Sequence, residues 1–373
     1  MLRWQTMVGI VVGLLMAAGI LSIWRTRQPL GSGPMIPDYG GPLQTITMQY
    51  TKGAEFTWPI YRAFLQQQPA SLTVQVICPE PADYAELQTQ LGPIPPQLQP
   101  LFTHHTQTPW SRDRWVLLAG TQERLPTVLA PRGEYQQEVW AQRAGDARVA
   151  EDIARALPTR YAFRRSQLYF DAGDFLADGA YVFVAPAVAR RNVQHTVATR
   201  ADLLRALALE LKREPVLLDA APDHHLGMYM MSAGAQTIAV ADPSLGQTVF
   251  NPEGTAAAGL AGGADFTAAT QQHFDAVADI VRAKGFRVVR IPVVPARDDN
   301  KVYLTYVNVM LDMRAGQPIV YMPSYAGQER MNAAAQKVWE TLGYTVRQID
   351  CTGAFVRGGT LHCLVNVLER ESR

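Results

Sequence analysis

The chain has 373 residues, 48% of them hydrophobic and 18% charged, with 34 basic residues against 33 acidic ones for a formal charge of +1. This composition supports a sizeable core and excludes extensive disorder, and the charge balance excludes a nucleic-acid binder that works through a basic excess. Three cysteines exclude a scaffold built on disulfides.

Residues 7–24 (MVGIVVGLLMAAGILSIW) form an uncharged run. At 1.5 Å per residue it spans about 27 Å, enough for a thin bilayer core. Arg3 precedes the run and Arg25 and Arg27 follow it, so flanking charge does not orient it. An uncleaved membrane anchor over 1–25 is expected; a cleavable signal peptide, leaving a secreted domain, is the alternative. Residues 26–41 are rich in Gly and Pro and read as a linker. A soluble domain is expected over 42–373, periplasmic or otherwise outside the cytoplasm.

Within that domain a helix-then-strand pairing recurs five times. Helical patterns at 59–68, 147–157, 200–213, 269–284 and 330–342 place apolar residues three and four apart. Each is followed by a β-rich run: SLTVQVICP, RYAFRRS, EPVLLDA, FRVVRIPVV and YTVRQID. Other β-runs precede helices (LPTVLAP, AYVFVAP, QTIAVADP, QPIVYMP), and their prolines are expected to stop ladder pairing. The pattern predicts an α/β fold of five strand–strand–strand–helix units closing into a ring. The run 43–50 would complete the last unit across the chain termini, leaving no exposed sheet edge. An open α/β sheet is the other arrangement that the periodicity allows.

Polar residues cluster where buried strands should begin, which calls for a reason. The segments are TPWSRDRW (Asp113), YFDAGDFLADG (Asp171, Asp174, Asp178), PDHHLGMYM (Asp223, His224, His225), KVYLTYVNVM (Tyr306, Asn308) and GGTLHCLVNV (His362, Cys363). On a ring they would converge, giving carboxylates, a histidine and a thiol one pocket. Such a set suits a planar guanidinium: carboxylates hold it by charge-assisted hydrogen bonds, a thiolate attacks its carbon, and histidine serves as acid and then base.

With these motifs the chain resembles the guanidine-modifying, or pentein, superfamily, and most closely the agmatine deiminase and bacterial peptidylarginine deiminase group, over residues 42–368. The resemblance implies a five-unit pentein-type α/β propeller and hydrolysis of a guanidine or amidine C–N bond through a thiouronium-type cysteine adduct. Trp110, Arg112 and Asp113 match the family's Trp-x-Arg-Asp motif, whose aspartate grips the guanidinium. Asp171, Ala172, Gly173 and Asp174 look like its Glu-Gly-Gly-Asn/Asp segment, whose first acid orients the histidine. Gly358, Gly359, His362 and Cys363 match its Gly-Gly-x-x-His-Cys end, with Cys363 as nucleophile. Tyr306 and Asn308 resemble a Tyr-x-Asn segment lining the site. His225, Leu226 and Gly227 align with its His-x-Asp pair, so the second guanidinium-binding aspartate is a glycine here. Asp223, on the same face as His225 if the segment is a strand, is the candidate substitute.

The expected catalytic set is therefore Cys363, His225, Asp113 and Asp171. The expected substrate contacts are Trp110, Arg112, Asp174, Asp223, Tyr306, Asn308 and Gly359. The partners implied are a small guanidine compound or peptidyl-arginine, and the membrane through the N-terminal run. Because of Gly227, a catalytically impaired binding protein is the alternative. No cofactor is implied, and a metal is not expected: His104-His105 and His224-His225 lack helical zinc spacing and no Cys-x-x-Cys is present. Adjacent on a strand, His224 and His225 would face opposite ways. Arg190 and Arg191 read as solvated surface. The run 256–264 reads as a flexible loop. Cys78 and Cys351 would lie side by side in a ring, as a disulfide in an oxidising compartment or as unrelated thiols.

Overall fold

A computed structural model describes residues 32–133 and 145–371. The apolar run 7–24 lies outside them; among the described residues no helix is long and apolar enough to cross a membrane.

The strands form five sheets with one grammar. In each, two strands pair antiparallel, one or two helices follow, and a third strand returns parallel to the second. The second sheet runs Val116–Leu118, Thr127–Ala130, then helix Asp146–Ala156 and strand Ala162–Arg165. The third runs Phe175–Asp178, Tyr181–Val184, helices Pro186–Asn192 and Arg200–Leu211, and Glu214–Leu217. The fourth is Met230–Ser232, Thr237–Asp242, helices Pro243–Val249 and Ala268–Ala283, and Arg287–Pro295. The fifth is Met310–Arg314, Gln317–Ser324, helix Glu329–Thr341 and Thr345–Asp350. The first sheet joins the two ends of the chain: Val365–Arg370 pairs antiparallel with Leu43–Gln49, and helix Trp58–Leu65 leads to Thr73–Cys78. All five helices expected from periodicity are present. An extra helix, Pro81–Leu91, and a further strand, Gln97–Phe102, extend the first sheet.

Local chemistry accounts for the boundaries. Thr199 and Asp202 form a capping box at the start of Arg200–Leu211, and the Thr267 hydroxyl caps Ala268–Ala283. Phe274, Val277, Ala278 and Val281 then bury one stripe of that helix. Two of the strand-ending prolines, Pro186 and Pro243, sit at helix starts, where a missing N–H costs nothing. Pro323 does not end its strand but stays in register with Ile349. Antiparallel pairing on the strand's other side stops at Tyr321, so Pro323 has an unladdered flank.

Apolar clusters tie the sheets together. The largest joins sheets one, three, four and five; a second joins two and three; a third joins one and two. Residues 33–38, inside the stretch read as linker, pack on the domain. Met35 is 1% exposed, the N–H of Ile36 donates to the Leu117 carbonyl at 2.9 Å, and Arg370 donates to the Asp38 carbonyl at 2.7 Å. The packed chain thus begins ahead of position 42. The run 256–264 opens with a short helical turn, Thr255–Gly259, and buries Ala256 and Leu260 instead of forming an open loop. Cys78, Cys351 and Cys363 are all free thiols.

Candidate active site

Each sheet presents its polar segment at the same place, just ahead of its first strand: Asp113, Asp171, His225, Asn308 and Cys363 each lie a few residues upstream of one. The repetition directs five separate stretches of chain toward one region. A cavity of about 640 Å³ is lined there by Trp110, Asp113, Asp171, Asp174, His225 and Cys363, with Asp223 also on its wall.

The floor is built around Cys363, which is 4% exposed in the short helix Leu361–Leu364. The Asn308 side-chain oxygen accepts from the Thr360 hydroxyl at 2.7 Å, the His362 N–H at 3.0 Å and the Cys363 N–H at 3.4 Å. Its amide nitrogen faces the Cys363 sulfur at 3.3 Å. Asn308 thus braces the thiol from below and is not part of the cavity wall. Gly359 is required by crowding: a Cβ there would lie 2.6 Å from the Trp110 ring and 3.1 Å from the Cys363 Cβ.

His225 stands between two acids, with Nδ1 3.7 Å from Asp113 and Nε2 3.6 Å from Asp171. Burial opposes its charge, but Asp113, then Asp171, Cys363 and Asp174, outweigh burial and hold its pKa well above the usual histidine range. Asp171 leads into the turn Ala172–Asp174, whose capping box has Asp174 accepting from the Asp171 N–H at 2.9 Å. Gly173 lets this turn approach the histidine, since a Cβ would come within 2.6 Å of the His225 ring.

Four expected substrate contacts fall outside the cavity lining. Arg112 is buried, donating to Asp38 and to Asn366 at 3.1 Å each, while its N–H reaches the Cys363 carbonyl at 3.2 Å. It fastens the Asp113 segment to the Cys363 segment. Tyr306 is fully buried with its hydroxyl on Asn332 at 2.8 Å. Asn308 and Gly359 support the floor, as described. The segment 221–225 is not a strand but bends into the short turn Leu226–Met228. Asp223 consequently does not share a face with His225 by alternation; it pairs with Arg190 at the rim. His224 and His225 do not face opposite ways either. Their rings stack, with centroids 4.8 Å apart, and both line the cavity. His224 bonds the Gly358 carbonyl at 2.8 Å, and burial, then the neighbouring His225 charge, lowers its pKa to about 3.

Three features were not legible from motifs. The first is Asp38, which takes Arg112 at 3.1 Å and His362 at 3.2 Å. Burial works against its ionisation, but Arg112, His362 and Arg370 prevail and bring its pKa to about 2. The second is Arg191, read as surface, which reaches Asp174 at 2.8 Å and Asp171 at 3.3 Å. Arg114 adds a contact to Asp171 at 3.5 Å. The third is the rest of the basic lining, Arg132, Arg190, Lys301 and Arg357. Arg112 and Arg114 both flank Asp113, yet only the fold shows one buried on the floor and the other at the wall.

No protein-family model and no curated protein matches the chain. Solved structures do. Agmatine deiminase from C. jejuni superposes with a TM-score of 0.65 at 14% identity, covering 91% of this chain and 97% of that one. A cysteine-to-serine variant of that enzyme with substrate bound gives 0.67 at 13% identity, covering 91% and 97%. Agmatine deiminase of Enterococcus faecalis gives 0.67 at 14% identity, covering 92% and 99%. The chain therefore has the mixed α/β fold of the pentein-type agmatine deiminases, as the motif resemblance implied.

Proposed function

We propose that this chain is a cysteine hydrolase of a guanidine or amidine C–N bond. One observation carries the reading: Cys363, His225, Asp113 and Asp171, supplied by four different sheets, line a single cavity. The shared fold supports it, as does the position of each residue ahead of its sheet's first strand. The reading takes the five sheets as the units of a propeller around that cavity.

In the proposed reaction Asp113 holds the planar cation, with Trp110 beside the floor. The Cys363 thiol gives up its proton to solvent as the cation binds, and the resulting thiolate adds to the central carbon and forms a C–S bond. His225, protonated at neutral pH, gives its proton to the departing nitrogen as the C–N bond breaks, leaving a thiouronium adduct. The neutral imidazole then takes a proton from water. The resulting hydroxide equivalent adds to the carbon, the C–S bond breaks, and a ureido product leaves. The net change is water consumed and ammonia or an amine released. Asp171 keeps the imidazole oriented throughout, while Arg191 fixes Asp171 and Asp174.

The test is ammonia or amine release across a panel of guanidine compounds, with covalent labelling of Cys363 by chloroacetamidine in parallel. Turnover that disappears in Cys363→Ala supports the reading; no turnover and no labelling rejects it. Labelling and tight binding without turnover would favour the impaired binding protein that Gly227 suggests. We also place the domain at a membrane, on the extracytoplasmic side, anchored by the run 7–24. Recovery of the full chain in a salt-washed soluble fraction would reject the anchor.

A further inference from the structure

We infer that the substrate carries a carboxylate remote from its guanidine or amidine end; this rests on the hydrolase reading above. Among the described residues, six Arg and Lys side chains and four carboxylates line the cavity. A site built for a compound cationic at both ends should show the opposite balance. The distribution is more telling than the tally. Asp171 and Asp174 are already engaged by Arg114 and Arg191, Asp223 is engaged by Arg190, and Asp113 faces His225. Two arginines remain with no carboxylate within ion-pair distance among the described residues, Arg132 and Arg357.

Both are exposed, and each lies over an aromatic ring. The Arg132 guanidinium lies 5.5 Å from the Tyr169 ring centre and that of Arg357 lies 4.3 Å from the Phe56 ring centre. Arg357 also donates to the Gly353 carbonyl at 2.7 Å. Stacking on an aromatic face reduces the freedom that a long side chain loses on binding, and it leaves the planar fork of N–H groups to meet an anion edge-on. A carboxylate is planar and accepts two parallel N–H bonds, which is the geometry a guanidinium offers. The acidic end of the substrate would therefore sit toward Arg132 and Arg357, and the guanidine end over Cys363.

The experiment compares guanidinobutanoate with agmatine, which ends a chain of similar length in an amine. We expect kcat/KM to favour the acid by about tenfold or more, the effect of one charge-assisted hydrogen bond. In Arg132→Gln and Arg357→Gln the acid-to-amine ratio should fall by a similar factor, with folding checked by thermal melts. Equal or reversed preference in the native chain, or a ratio unmoved in both variants, overturns the inference. Calorimetric titration of the same two compounds into Cys363→Ala reads the preference without turnover. Failure of hydrolysis and failure of acid selectivity are thus separate results: tighter binding of the acid sustains the inference, and equal binding rejects it.

Discussion

Gly227 stands where the motif resemblance to the deiminases implies a second guanidinium-binding aspartate, and the surroundings explain why an acid there would not simply restore a site. A Cβ at this position would lie 3.0 Å from the Asn308 amide nitrogen and 3.2 Å from the His362 ring. Those groups already brace Cys363 and engage Asp38. Gly227→Asp should therefore push Asn308 off the thiol and bury a carboxylate on the floor, costing about 3 kcal/mol of stability. Urea denaturation should show that loss, and chloroacetamidine labelling of Cys363 should slow; a gain of turnover would contradict it. Asp38 has the opposite character, since its charge is already satisfied. Its folded pKa of about 2 lies below the value near 3.8 that it takes when unfolded. The stabilisation is therefore full above the unfolded value and disappears as pH falls through the folded one. Asp38→Asn should lose about 2 kcal/mol at neutral pH and progressively less below about pH 4. Equal losses at pH 7 and pH 3 in denaturation curves would reject the charge as the cause.

The short segment 33–38 makes the same point for an element. It has no regular structure beyond one bridge, Met35 to Leu118, yet it buries Met35 and delivers Asp38 beneath the site. A chain starting at 42 should be less stable than one starting at 32 by about 3 kcal/mol or more, from one buried methionine and from Arg112 and Arg370 losing their shared partner Asp38. Its Cys363 should also label more slowly, because Arg112 would lose an anchor. Equal melting of the two chains would show the segment to be dispensable. Sequence patterns missed this element because a Gly-Pro-rich stretch carries no period to read. The five amphipathic helices and their partner strands were legible, since burial of one face imposes a repeat of three and four or of two. The site was legible to the extent that each polar residue interrupts an apolar strand entry, as with Asp113, Asp171, His225 and Cys363. Arg191 and the stacking of His224 on His225 were not. Both depend on a turn geometry and on packing between sheets, which residue spacing does not encode.

Across the whole molecule, buried histidines set opposing pH limits on stability. His224 and His362 are held neutral, the first by burial and then by His225, the second chiefly by burial despite Asp38. Unfolding frees both to bind protons, so their contribution is full above about pH 6.5 and lost as pH falls below it, for His224 down to about 3. His225 runs the other way: the fold holds its proton more tightly than the unfolded chain does. Its contribution is full below about pH 6.5 and lost as pH rises through the folded value. Stability should therefore peak between an acid limb and an alkaline limb. His224→Gln should flatten the acid limb and leave the alkaline one, whereas His225→Gln should flatten the alkaline limb. Urea midpoints from about pH 4 to about pH 9 would read both slopes at once. If His225→Gln instead steepened the alkaline limb, the charged imidazole between Asp113 and Asp171 would be the wrong description of the resting site. The first proton transfer proposed for the reaction would then have no donor, because that step requires the folded state to keep this histidine charged where free histidine is not.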